Sequence, residues 1–367
     1  MQAAFPKSLI TALPLIGTAL FAMAACSASS PTAAPPKAAQ LGEELPPPSP
    51  VAATTPAAAP TAAPGVMPAN LLIADRANNR VIEVTPDRKI VWEFPRAGDL
   101  QPGQRFRWPD DAFYAPDGKS IVINEEESHA IVLVDYATRR IVWQYGVSER
   151  SGSAKGYLNG PDDAYMWPDG NIGVADIRNC RLILIAHGTK AIKTQLGRTG
   201  YCAHNPPKSF GLPNGDTPLA NGHVLITEIL GSWVSEVGWD GTVYWTTRAP
   251  GIRYPSDAQS LPDGNILLVD YSRPGQVLIM TPKGQPIWRY APRSGPGMLD
   301  HPSLAIELGN GLIALNDDFR NRVVVIDRTT NQIVWQYGVN DRRGRTDGLL
   351  FIPDGIDIKP PNWGNPT

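Results

Sequence analysis

Histidine and cysteine are scarce, five and three respectively in 367 residues, and neither occurs in a CxxC or HxxxH spacing. That leaves a zinc site between Cys180, Cys202 and His187 or His204 without the ligand pattern such sites use. Charge of either sign is also nearly cancelled, with a formal net charge of −2. A nucleic-acid partner, which demands a basic field, is excluded on that ground. Beyond the first segment no apolar stripe of 3.6-residue period reaches helical length, so a helical domain is excluded as well.

What is present instead is turn chemistry: 34 glycines and 37 prolines punctuate short apolar runs, which argues all-β. The clearest unit runs from Tyr254 to Ala291. Its segments SDAQS, ILLVD, QVLIM and PIWRY are each too short for a helix and are separated by Pro-Asp-Gly or Ser-Arg-Pro-Gly turns, as in a four-stranded antiparallel blade. Equivalent prolines stand at Pro109, Pro161, Pro213, Pro255, Pro302 and Pro353, at steps of 52, 52, 42, 47 and 51 residues. Such steps suit blade-sized repeats joined by loops of variable length.

Five complete blades follow from this alignment. Second, third and fourth strands without a first remain at 70–94, and a first strand without partners remains at 352–358. Joining them predicts a six-bladed β-propeller sealed by the chain's own two ends, which leaves no long open sheet edge. The expected organisation is a signal peptide over 1–25, a lipidated Cys26 followed by a Pro/Ala-rich tether over 26–67, a propeller over 68–360 and a tail over 361–367.

The N-terminal reading rests on Lys7 preceding an apolar run that ends in small residues. Its end, Met23-Ala24-Ala25-Cys26, resembles the lipobox of bacterial lipoproteins, with Met23 where that motif usually has Leu. Ordinary cleavage near Ala24 or Ala25 stays open beside lipidation of Cys26. The resemblance implies an exported protein held at an envelope membrane by an acyl chain such as palmitate. Cys180 and Cys202, exported together, are expected to form a disulfide, which would stabilise by roughly 3 kcal/mol.

Two stretches, ADRANNRVIEV (74–84) and NDDFRNRVVVID (316–327), resemble the strand pair of NHL repeats. GVSERSGSAKGYLNGPDD (146–163) and GVNDRRGRTDGLLFIPDG (338–355) are similar to the glycine-rich NHL loop. LPDGNILLVD, with IVW in the outer strand, also resembles bacterial arylsulfotransferase-like and PQQ-like propellers. These likenesses imply the fold far more strongly than a chemistry. They admit a calcium-dependent hydrolase or lyase of NHL-like type, or an aryl-sulfate sulfotransferase.

Loops before the first strands and after the second strands share one face of such a ring. That face collects Asp110, Asp111, Asp162, Asp163, Asp216, Asp257, His301 and Asp354 from the first strands, and Asp75, Glu125, Asp176, Glu228, Asp270 and Asp317 from the ends of the second. An acidic funnel is the expectation. Asp111, Asp163 and Asp257 occupy one position of the alignment and are the candidate ligands of a Ca²⁺ ion in the channel. Gly215, Leu304 and Gly355 fill that position in the other copies.

Competing structural roles are plain for several of these residues. Asp75 with Arg80, Asp176 with Arg181 and Asp317 with Arg322 recur at one spacing, as ion pairs would, and aspartates beside turn prolines also accept backbone hydrogen bonds. Trp92, Trp143, Trp245, Trp288 and Trp335 share one outer-strand position and are expected to pack between blades. Trp108, Trp167 and Arg253 are candidate contacts for a ligand, with Tyr157 and Arg105 in the same loop family. His301 is the candidate catalytic residue and His204 an ordinary polar contact. The function expected is a monomeric, membrane-tethered propeller that binds a protein, peptide or glycan on its acidic face.

Overall fold

A computed structural model describes residues 65–364. The expected signal peptide, the expected lipidation site Cys26 and most of the expected tether lie outside the described residues. Among the described residues no helix is long and apolar enough to cross a membrane.

Six four-stranded antiparallel sheets form the fold, as the repeat alignment predicts. Blade 1 joins Pro353–Ile358 to Leu71–Asp75, Arg80–Val84 and Ile90–Phe94, so the two ends of the propeller close the ring within one sheet. Blade 2 runs from Pro109–Tyr114 to Arg140–Gly146, blade 3 from Pro161–Met166 to Ile192–Leu196, and blade 4 from Pro213–Pro218 to Val243–Arg248. Blade 5 runs from Pro255–Ser260 to Pro286–Tyr290 and blade 6 from Ala305–Gly309 to Gln332–Gly338. Ordered packing extends to Val66 and Met67 at one end and Trp363 at the other, all buried.

The second and third strands read as continuous apolar runs because both of their faces are covered. Leu71 and Ile73 pack toward blade 6 while the alternate residues Leu72 and Ala74 pack toward blade 2. The same division produces an apolar layer between every neighbouring pair of blades.

Outer-strand tryptophans stitch these layers together, in keeping with their expected place between blades. Trp92 Nε1 donates to the Tyr136 carbonyl at 2.9 Å, Trp143 to His187 at 2.9 Å and Trp335 to Pro86 at 3.1 Å, each in the next blade. Trp288 donates to Asn331 Oδ1 at 3.0 Å in the same sense. Trp245 departs from the rule and donates to Glu236 Oε2 of its own blade at 2.7 Å.

The expected disulfide is formed, Cys180 to Cys202, with a Cα–Cα distance of 5.2 Å. Cys180 holds the left-handed position that ends the short turn Ile177–Asn179, where Asn79 and Asn321 stand in blades 1 and 6. The bridge therefore pins a second-to-third-strand turn to the loop that leads into blade 4.

Candidate functional site

Five of the six repeat prolines open a first strand and are followed by a bulge, whereas in blade 6 the strand begins at Ala305, beyond Pro302. Pro109 pairs with Glu125 but Ala112 with Ile123, and the register shifts in the same way after Pro161, Pro213 and Pro255. Two residues in each of these five blades are thereby released from the ladder at the channel axis, which is what a bulge does to re-aim side chains.

The backbone donors so freed are taken up by side chains. Asp111 N–H donates to Asn124 Oδ1 at 3.2 Å, Gly215 N–H to Thr227 Oγ1 at 2.8 Å, and Leu304 N–H to Asn316 Oδ1 at 2.9 Å. Asn124, Thr227 and Asn316 each sit one residue before the end of a second strand. Sequence reading passed over them, although a buried polar residue in an otherwise apolar run was the available signal.

The carboxylates that end the second strands prove structural. Asp75 accepts from Phe351 N–H at 2.8 Å, Asp176 from Asn159 at 2.8 Å, Glu228 from Gly211 at 2.5 Å and Asp317 from Asp300 at 2.6 Å. Glu125 takes the Arg107 N–H, and Asp270 takes those of Arg253 and Tyr254. All six hold the loop that enters a first strand, so they frame the funnel rather than line it. The three expected ion pairs are present, Arg80 to Asp75 at 2.7 Å, Arg181 to Asp176 at 2.8 Å and Arg322 to Asp317 at 2.7 Å.

The residue after each repeat proline lies at the channel mouth: Asp110, Asp162, Asn214, Ser256, Ser303 and Asp354. Oxygens of Asp110, Glu126 and Asp162 gather within 4.8 Å of one another, the one such set among the described residues. Arg76, from the turn after the first strand of the chain, reaches into this ring between blades 1 and 2. Its Nη1 lies 2.5 Å from both Asp110 Oδ1 and Asp354 Oδ2, and its Nη2 lies 3.0 Å from Glu126 Oε2 and contacts Glu127. Arg178 Nη2 approaches Glu126 Oε1 at 2.9 Å. Asn214 donates to Asp162 and, at 2.9 Å, to the Ser256 carbonyl, and Tyr254 donates to Asn214 Oδ1 at 3.2 Å.

Five carboxylates, Asp110, Glu126, Glu127, Asp162 and Asp354, thus face two guanidinium groups. Burial and the neighbouring Glu127 push Glu126 up to about 7 against the pull of Arg76 and Arg178. Asp110 and Asp162 are raised well above the ordinary range, chiefly by burial. The mouth therefore holds more carboxyl groups than cations, and it keeps protons that it can release when another cation arrives.

The remaining sequence candidates divide. Trp108 is 41% exposed on the rim, with its N–H bonded to Asn79 Oδ1, and Arg253 is exposed on the same rim. Arg105 pairs with Glu149, and the Tyr157 ring lies 5.5 Å from the Arg150 guanidinium. Trp167 is not part of this face: it follows Met166 at the first-to-second-strand turn, which places it at the opposite mouth beside Tyr114, Pro168 and Trp363. Asp216 also leaves the axis, because it occupies the position at which Ala112, Ala164 and Ala258 pack between blades. Its carboxylate stands instead near Gly173 and the Trp167 indole.

His301 lies at the rim, its Nδ1 2.7 Å from Asp300 Oδ1 and its ring edge-on to Tyr271 and Phe319. Arg273 holds the other Asp300 oxygen at 3.1 Å. His204 bonds Glu228 at 2.8 Å and stacks on Trp233, the ordinary contact expected of it.

No protein-family model and no curated protein matches the chain. Among solved structures, it is similar to a protein of unknown function from Bacteroides caccae at 17% identity and a TM-score of 0.56, over 78% of this chain and 97% of that one. It is also similar to a chain of the nidogen/laminin complex at 13% identity and a TM-score of 0.53, again over 78% and 97%. A streptogramin B lyase matches at 16% identity and a TM-score of 0.45, over 62% of this chain and 68% of that one. At these identities the first two likenesses establish a shared fold alone, the β-propeller.

Proposed function

We propose that the protein is an extracytoplasmic binding propeller whose acidic channel mouth receives a positively charged group of a peptide or protein partner. The observation that carries this reading is the gathering of Asp110, Glu126 and Asp162 oxygens within 4.8 Å beside an arginine that only partly neutralises them. Such a mouth attracts cations over a distance and repels anions, which favours encounter with basic partners. Exposed Trp108 and Arg253 on the rim supply contact area and a hydrogen-bonding fork around the charged centre.

The tether and Cys26 complete the reading. A lipidated cysteine followed by a long Pro/Ala-rich spacer would hold the propeller away from an envelope membrane while leaving the mouth free. Calorimetric titration with tetralysine at low ionic strength tests the binding half. Binding that weakens at least tenfold when Glu126→Gln and Asp162→Asn are combined supports it, and equal binding of tetraglutamate removes it.

A propeller enzyme is the second reading, and His301 is the observation in its favour. With Nδ1 engaged by Asp300, its Nε2 is the nitrogen free to exchange a proton, and Tyr271 links it to the mouth. Turnover of lactone, ester or aryl-sulfate substrates that is abolished by His301→Ala would establish this reading over simple binding.

A further inference from the structure

The acidic mouth is set inside a basic rim. Loops from the outermost strand of one blade to the innermost strand of the next share the mouth's face, because fourth strands end and first strands begin there. Exposed arginines stand on these loops: Arg150 before blade 3, Arg198 before blade 4, Arg253 before blade 5, Arg293 before blade 6, and Arg342 and Arg343 before blade 1. None of the six has a carboxylate partner among the described residues. Before blade 2, Arg105 and Arg107 share the single carboxylate of Glu149. Asp341 is held by Arg320 at 3.1 Å, which leaves Asp347 as the one exposed carboxylate of these loops without a cation among the described residues.

Three of these guanidinium groups lie against an aromatic ring of their own loop. Arg150 is 5.5 Å from Tyr157, Arg198 is 5.6 Å from Tyr201 and Arg343 is 5.1 Å from Phe351. A guanidinium steadied on a ring keeps its N–H fork free for a planar anion such as a carboxylate. The acids of the mouth come from blades 1 to 3: Asp354, then Asp110 with Glu126 and Glu127, then Asp162. Arg342 and Arg343 lead into blade 1 and Arg150 into blade 3, so they flank that set on either side of the ring. Asp111, Asp163 and Asp257, which the repeat alignment suggests for a calcium ion, are buried, and their oxygens do not gather within 4.8 Å of one another. The charges open to a partner are those of the mouth and the rim.

A partner of one sign cannot satisfy both zones. A wholly basic segment meets repulsion at the rim, and a wholly acidic one meets it at the mouth. Complementarity requires a cation at the centre and anions around it. We propose that this face recognises an amphoteric protein segment, with a lysine or arginine side chain entering the mouth and flanking aspartate or glutamate side chains pairing with Arg150, Arg342 and Arg343. The inference rests on the reading of the mouth as the receiver of a cation, and it adds the chemistry that must surround that cation. A single exposed ion pair contributes little, so the selectivity has to come from several rim arginines acting together.

The experiment titrates the full chain with three end-blocked peptides at low ionic strength: tetralysine, tetralysine with two glutamates added at each end, and the flanked peptide with serines in place of its lysines. The expected result is that the glutamates tighten binding of the lysine peptide by about tenfold or more, and that the serine peptide binds more weakly than the flanked lysine peptide by a similar factor. Arg150→Gln, Arg342→Gln and Arg343→Gln combined change only exposed side chains, so the variant should melt as the parent does, lose the gain from the glutamates and bind tetralysine no more weakly than before. Flanking glutamates that weaken binding or leave it unchanged would overturn the proposal while tetralysine binding upheld the reading of the mouth. A gain that survives the triple variant would overturn it as well. A serine peptide that binds as tightly as the flanked lysine peptide would replace it with a rim that takes an anionic polymer by itself. Failure of both lysine peptides to bind would remove the reading of the mouth and this inference with it.

Discussion

Arg76 is the residue on which the electrostatics of the mouth depend. One guanidinium reaches Asp354 of the closing strand in its own blade and Asp110, Glu126 and Glu127 of the next blade. Removing it leaves several buried carboxylates without their counter-ion, and breaking such a buried pair costs about 3 kcal/mol or more. Arg76→Met should therefore destabilise strongly at pH 8 and less at pH 5, where Glu126, raised to about 7, is protonated and needs no partner. Urea unfolding at the two pH values checks this. The residue was invisible in the sequence because it sits in the Arg-Ala-Asn turn between two strands, where a solvated loop arginine is the ordinary occupant. Asp110 and Asp162 were legible because both follow a repeat proline, and the period of the repeat carries them to the axis. Asp216 shared that neighbourhood of the alignment but not its geometry, since a one-residue step along a strand turns a side chain to the other face.

At the scale of the element, the strands and their order were legible because second and third strands are apolar on both faces and turn residues bound them. The bulges were not. A bulge adds one unpaired residue without any composition of its own, yet it is what aims Asp110 and Asp111 at the channel. The recurrent tryptophans announced packing between blades, but the hydrogen bonds from their indoles to the next blade could be seen only once neighbouring turns were in place. Blade 3 has Thr194 at this position and carries the disulfide instead. Cys180 and Cys202 are separated by 22 residues, and closing a loop of that size stabilises by about 3 kcal/mol. Replacing both with serine should lower stability by that order and affect blade 3 first, visible as faster amide exchange in Ile177–Asn179 than in the matching turns of blades 1 and 6.

For the whole molecule, ring closure by Pro353–Ile358 and the acidic channel have a joint consequence for pH. Burial raises Asp257 and Asp317 to about 6, Glu126 and Asp357 to about 7, and Glu125 to about 8. A folded state with raised carboxyl pKa values holds protons that the unfolded chain has released, so its stability is fullest in acid and is lost as pH rises through the folded values. In EDTA the melting temperature should fall between pH 5.5 and 8.5, and scanning calorimetry would register a flat or rising profile as a contradiction. Fold and ring closure could be read from the sequence because repeats state them six times over. The ligand could not, because the mouth is built where the copies differ.

The central claim, that the carboxylates of the mouth receive a positively charged group, is tested most directly by a crystal structure of the protein with tetralysine. The account predicts an ammonium group within about 3 Å of oxygens from Asp110, Glu126 and Asp162, the reach of a charge-assisted hydrogen bond. A peptide bound elsewhere on the propeller, with the mouth untouched at saturating concentration, would contradict it.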